Sequence, residues 1–338
     1  MALKLFTMSI PETGLAEVFA ERAERDGWDG ITFTDSQNLV GDPFVAMALG
    51  AKITQRLQFM TGVTNPATRH PAALATAIAT VQEVSNGRAV LGLGRGDTAL
   101  FHLGRPPMPL AEFFARTEEL HTYLQGGTLQ VNGAPSRLRW LDRARQARVP
   151  IDIAASGPKV IAFAARCVER ITFAVGAYPD RLDWAIELAR TAMSGAQRQA
   201  GDVSLGAYVT VGCHPDRDAA RELVRGSVAA FAHFSAMPGS TGAGLESADR
   251  ELVASVGRTY DSNLHLVNSA EHSRVLPDDF VDRFAVVGDA PTCARRLREL
   301  AALGLDRLVI TGPSFGANRD DARVHAQLVR DELLPALR

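Results

Sequence analysis

Two short segments hold the residues best suited to chemistry. Residues 62–71 read Gly-Val-Thr-Asn-Pro-Ala-Thr-Arg-His-Pro, and residues 91–97 read Leu-Gly-Leu-Gly-Arg-Gly-Asp. Each closes a short apolar run and opens a helical pattern, so each reads as a strand-to-helix loop. Loops at the carboxyl ends of parallel strands are where α/β proteins bind ligands. Asp97 ends the second segment, and Asp35 follows another apolar run, residues 31–34. A carboxylate so placed works as an acid, a base or a hydrogen-bond acceptor, or it caps the next helix. His70 either donates a proton near neutral pH or bonds backbone in a crowded loop. His102 is a further candidate. Gly94 and Gly96 permit positive φ and let the backbone approach a flat ligand.

Other loops suggest what that ligand carries. Ala154-Ala155-Ser156-Gly157-Pro158 is small, and its Pro starts a helix with N–H groups exposed. Such a start binds anions, phosphate especially. Val175-Gly176-Ala177 is a second small-residue loop. Together they point to a phosphate-bearing ligand. Gly94-x-Gly96-x-x-Ala99 matches a dinucleotide fingerprint. Three strand–helix units precede it, however, whereas a dinucleotide-binding domain begins with that unit, so a barrel loop is the better reading. The histidines are scattered, with no His-x-x-x-His pair, and Cys167, Cys213 and Cys293 form no Cys-x-x-Cys. Neither a metal site nor a disulfide frame is expected, and the thiols read as buried and reduced. His121, His214 and His325 read as helix-surface or loop residues. Phe101, Phe113, Phe114 and Trp140 either line an apolar entrance or belong to the core.

The elements that position these loops alternate. Strands are expected at 3–9, 31–34, 57–63, 88–93, 149–154, 170–175, 203–213 and 307–311. Helices are expected at 13–26 (Thr13 as N-cap), 43–54, 71–85, 110–125, 158–168, 180–198, 216–234 and 319–337. Eight strands and eight helices make a (β/α)8 barrel, a TIM barrel of the α/β class, read as a single domain over residues 1–338. Two stretches break the period: a polar, Arg-rich insertion after the fourth helix, about 128–148, and one before the eighth strand, about 237–282.

Composition sets the bounds. A chain of 338 residues, 46% hydrophobic, buries a sizeable core. The net charge of −2 offers no basic face for nucleic acid. No apolar run is long enough to span a membrane, and a cytoplasmic location is expected.

The chain resembles the bacterial luciferase-like superfamily of flavin- or deazaflavin-dependent oxidoreductases. Within it, the chain is similar to the coenzyme F420-dependent group that includes methylenetetrahydromethanopterin reductase. Gly62-Val63-Thr64-Asn65-Pro66 through Arg69-His70-Pro71, Leu91 through Asp97, and Ala154 through Pro158 carry the resemblance, in the family's order. It implies a non-prolyl cis peptide at Gly62-Val63 backing the deazaflavin ring, with Thr64, Asn65, Gly94 and Gly96 around the cofactor. It implies that Asp35 lies near the ring and Asp97 near its reactive face. It places the ribityl-phosphate region at Ala155, Ser156, Gly157, Val175 and Gly176. Many relatives have His directly after the acidic residue; here Ser36 stands there. The implied activity is hydride transfer between F420 and a small organic substrate, with Asp97, Asp35 and His70 as candidate catalytic groups. An FMN-dependent monooxygenase and a flavin-binding barrel without catalysis are the alternatives. Relatives pair through their second and third helices, so a homodimer is expected, with residues 43–54 and 71–85 Ala-rich and apolar around much of each helix.

Overall fold

The computed structural model describes residues 3–12, 14–199, 201–237 and 243–338. Eight strands form the barrel: β1 Lys4–Ser9, β2 Gly30–Phe33, β3 Gln58–Thr61, β4 Ala89–Leu93, β5 Ile151–Ala155, β6 Arg170–Phe173, β7 Ser204–Cys213 and β8 Arg307–Thr311. Their hydrogen-bonded order is β7-β8-β1-β2-β3-β4-β5-β6, and a β6–β7 pairing closes the sheet. This is the expected (β/α)8 barrel. The pairings β2–β3, β3–β4, β4–β5 and β7–β8 are all parallel. β2, β4 and β8 are buried throughout, as parallel strands covered on both faces must be.

The chain divides into two compact units. One runs from Thr7 to Ala154 with Cys167–Arg170; the other holds the chain up to Phe6, Ala155–Arg166 and Ile171–Arg338. In the first unit lie α1 Ala16–Asp26, α2 Pro43–Ile53, α3 Pro71–Val84 and α4 Leu110–Leu124. Local chemistry fixes their ends. Asp42 caps α2 by accepting from Phe44 and Val45 N–H, with Pro43 at the first turn. Gly27, in the left-handed region, ends α1. Thr13, the expected cap of α1, lies outside the described residues; the residue before this helix is Leu15, which makes no capping bond.

In the second unit lie α5 Pro158–Cys167, α6 Pro179–Gly195, α7 Arg225–Ala236 and α8 Ser247–Thr259. Arg307 is fully buried there. Its guanidinium donates to Ile171 O and Thr172 Oγ1 and reaches Ser204 Oγ. Gly206 makes room for it: a Cβ at 206 would lie 2.8 Å from Arg307 Nη2.

The structure departs from the sequence reading in four places. The expected helix at 216–234 is two, Arg217–Glu222 and α7, because Val224 leaves helical geometry at φ −121°. The expected helix at 319–337 is α-helical over Arg319–Leu328 and then widens to a π-turn at Val329–Leu333, just ahead of Pro335, which has no N–H to give. A short strand, Val286–Gly288, pairs with the end of β7, and a helix, Ala290–Ala302, follows it; neither was expected. The insertion after α4 holds a hairpin, Leu129–Val131 with Ala134–Ser136.

Candidate active site

In the first unit the loops after β2, β3 and β4 lie side by side. The Gly62-Val63 peptide is cis, as the resemblance implies. Thr64 N–H donates to Gly92 O at 2.9 Å, and Gly94 N–H donates to Thr64 O at 2.9 Å. The glycines have a structural duty here. A Cβ at Gly62 would lie 2.7 Å from Thr32 Oγ1, and one at Gly94 would lie 2.7 Å from Val63 Cγ2. Gly96 sits at φ +77° with Asn65 Cγ 2.9 Å from where its Cβ would be. Loop-to-loop packing therefore accounts for these glycines, whatever else approaches them. Asn65 is buried, and its Oδ1 accepts from Ala67 and Thr68 N–H, which closes its own loop.

Asp35 is buried at the end of β2. Its Oδ2 accepts from Thr64 Oγ1 at 2.5 Å and is paired with Arg69 Nη1. Arg69 also reaches Asp42 Oδ2 at 2.9 Å, and its guanidinium lies 5.1 Å from the Phe44 ring centroid. Burial works against the Arg69 charge, yet Asp35 and Asp42 prevail and hold it above its ordinary value. Sequence reading assigned Arg69 no role; its spacing to Asp35 across two strands carries no local signal.

The other candidates separate. Asp97 is half-buried and opens a short helix, Asp97–Phe101, whose N-cap position is Gly96, so Asp97 is not the capping residue. It sits near Arg95, whose guanidinium burial pulls below its ordinary value while Asp97 opposes the shift. His70 is exposed and accepts from Ala72 N–H through Nδ1 at 3.2 Å, as the N-cap of α3. Of its two expected roles the structure shows the backbone one. Thr34 Oγ1, Thr68 Oγ1 and His102 Nε2 are buried with no hydrogen-bond partner. Such atoms are scarce in native folds and call for an explanation. They lie on the loops or short helix after β2, β3 and β4. Their surfaces are closed, so they are not contacts that a docking ring reaches without a change in these loops.

In the second unit, Ser156 donates its hydroxyl to Phe234 O at 3.1 Å. Gly157 O accepts from Ile161 N–H, so the first-turn N–H groups of α5 have no partner within the helix. Ala155 and Val175 are fully buried. Gly176 is buried at φ +81°, and a Cβ there would lie 2.6 Å from the Phe284 ring. Its small size serves Phe284 first. Two expectations, for His325 and Cys167, are corrected. His325 is buried, with Nδ1 accepting from Cys213 N–H at 3.0 Å, and burial lowers its pKa to about 4. Cys167 is only half-buried. Phe113 is core, whereas Phe101 is exposed.

Residues 13–307 match the family model described as luciferase-like monooxygenase. The chain belongs to this family. It is 28% identical over 322 residues to 5,10-methylenetetrahydromethanopterin reductase of Methanolobus tindarius, covering 94% of this chain and 95% of the relative. It is 28% identical to an F420-dependent glucose-6-phosphate dehydrogenase of Amycolatopsis mediterranei, covering 95% and 93%. The structure superposes on the coenzyme F420-dependent tetrahydromethanopterin reductase of Methanopyrus kandleri with a TM-score of 0.76 over the whole of both chains, at 22% identity. This luciferase-like chain is thus an oxidoreductase on a shared barrel fold. No helix among the described residues is long and apolar enough to cross a membrane.

Proposed function

We propose that this enzyme transfers a hydride between coenzyme F420 and a small organic substrate. The observation that carries the reading is the pairing of loops 62–65 and 92–97 at the cis Gly62-Val63 peptide, with Asp35 bonded to Thr64 of the first loop and half-buried Asp97 ending the second. Relatives named for F420, matched over four fifths or more of their length, favour this cofactor. When bound, the deazaflavin supplies the two-electron chemistry. Asp35 accepts a hydrogen bond from it. Gly62, Val63, Thr64, Asn65, Gly94 and Gly96 shape the backbone beneath its ring. Ala155, Ser156 and Gly157, at the start of α5, receive its phosphate, with Val175 and Gly176 completing that loop region. Asp97 gives or takes the proton that the substrate exchanges.

The whole chain acts as one domain in this reading, as a cytoplasmic homodimer. α2 presents Val45, Leu49 and Ile53 to solvent at 59%, 41% and 47% exposure, four residues apart each time. An apolar stripe of that kind suits a second copy of the helix. Neither nucleic acid nor membrane is a partner.

The test is direct. Purified protein is titrated with F420 and, separately, with FMN, following absorbance and fluorescence. Saturable F420 binding with substrate-dependent bleaching supports the proposal. FMN binding with oxygen uptake would replace it with a monooxygenase, the activity named for several solved structures of like fold. Binding with no turnover across an alcohol, aldehyde and imine panel would leave a non-catalytic barrel.

A further inference from the structure

Two donors converge on one oxygen of Asp35. Thr64 Oγ1 and Arg69 Nη1 both bond Oδ2. Among the described residues, none donates to Oδ1. The side chain is nonetheless only 1% exposed. Oδ1 is not among the buried polar atoms that lack a partner among the described residues, so this oxygen keeps what little access the side chain has. The geometry of Arg69 explains how the imbalance is held. Its planar fork spans two carboxylates, Asp35 and Asp42, while its face rests on Phe44. Asp42 is itself fixed, because its Oδ1 caps α2. The guanidinium therefore has little freedom to turn, and neither has the carboxylate it holds.

We propose that Arg69 is a positioning residue that saturates Oδ2 of Asp35 and so presents Oδ1, as a fixed acceptor, to a lactam N–H or hydroxyl of the bound ligand. The proposal rests on the reading of Asp35 as a ligand-facing group. It also gives Asp35 a definite task. With both of its donors on Oδ2, the carboxylate is held in place to accept a hydrogen bond through Oδ1. Lysine is only a partial substitute, because one ammonium keeps the charge without the planar fork.

The experiment is a double-mutant cycle on F420 affinity with wild type, Asp35→Asn, Arg69→Met and the double variant. Each single change is expected to weaken binding about tenfold or more. The double variant is expected to be no weaker than the worse single, since Arg69 acts only through Asp35. Arg69→Lys should recover part of the loss, and it replaces Arg69→Met if that variant does not fold. A crystal structure of the Arg69 variant without cofactor gives an independent readout: the Asp35 carboxylate should turn from its wild-type torsion. Additive losses, or an unmoved carboxylate, overturn the proposal. If wild type binds neither F420 nor FMN, the functional reading falls, and the orientation of Asp35 alone decides the role of Arg69.

Discussion

At the residue scale, the two carboxylates part company by their partners. Asp35 is committed to Thr64 and Arg69, whereas Asp97 opens a short helix that its neighbour Gly96 caps. Losing a true N-cap would cost about 0.5–2 kcal/mol of stability. Asp97→Asn should therefore melt within a degree or two of wild type and bind cofactor normally. Hydride transfer should slow roughly 10²–10⁴-fold, the usual effect of removing a general acid or base. Normal turnover in a stopped-flow assay would remove Asp97 from the mechanism. Gly176 needs different handling. Any side chain there meets the Phe284 ring, so Gly176→Ala should lower stability by about 1–3 kcal/mol or more in urea unfolding, before any ligand is considered. Ser156→Asp is the better probe of a phosphate site. Its carboxylate would repel a phosphate at the start of α5, and cofactor titration should show weakened binding in a protein that still folds.

At the element scale, His325 ties the helix Arg319–Leu328 to the end of β7 by accepting from Cys213 N–H. Burial brings its pKa from 6.5 to about 4. The unfolded chain thus holds this proton more tightly than the folded one. The neutral ring's contribution is complete above pH 6.5 and drains away as the pH falls toward about 4, on the order of 3 kcal/mol in all. His272 is shifted the same way by burial and adds to the slope. Urea unfolding at stepped pH should show stability falling across this window, with a shallower fall in His325→Asn. An equal slope in the variant would assign the acid loss elsewhere.

What could be read ahead of the structure follows the same local logic. The first four strand–helix units were legible because their apolar runs are bounded by Gly, Pro and capping side chains. The strand at Val286–Gly288 was not, since three residues give no period. The helix after it was within reach: Asp289 caps it through Thr292 N–H, with Pro291 in its first turn. The hairpin also had its signal in Asn132-Gly133, both at positive φ. In the site, the cis peptide came from resemblance alone. The Asp35–Arg69–Asp42 network joins residues 34 and 27 positions apart, and nothing short of the folded sheet brings them together.

At the scale of the whole molecule, the stripe on α2 makes a claim about assembly. Light scattering at micromolar concentration should give twice the chain mass, and Leu49→Arg should give a monomer, because a buried guanidinium without a partner opposes association. A wild-type monomer would end the dimer reading. A second consequence concerns descent. Arg307 fills the barrel interior only because position 206 has no side chain. The two positions belong to β8 and β7, about a hundred residues apart in the sequence, yet position 206 cannot gain a side chain while Arg307 keeps its place. In a reconstruction of ancestors, the glycine must precede the arginine, and on the way back the arginine must go first. Luciferase-like sequences with a larger residue at 206 should carry a smaller one at 307, a covariation that records the order in which this barrel was filled.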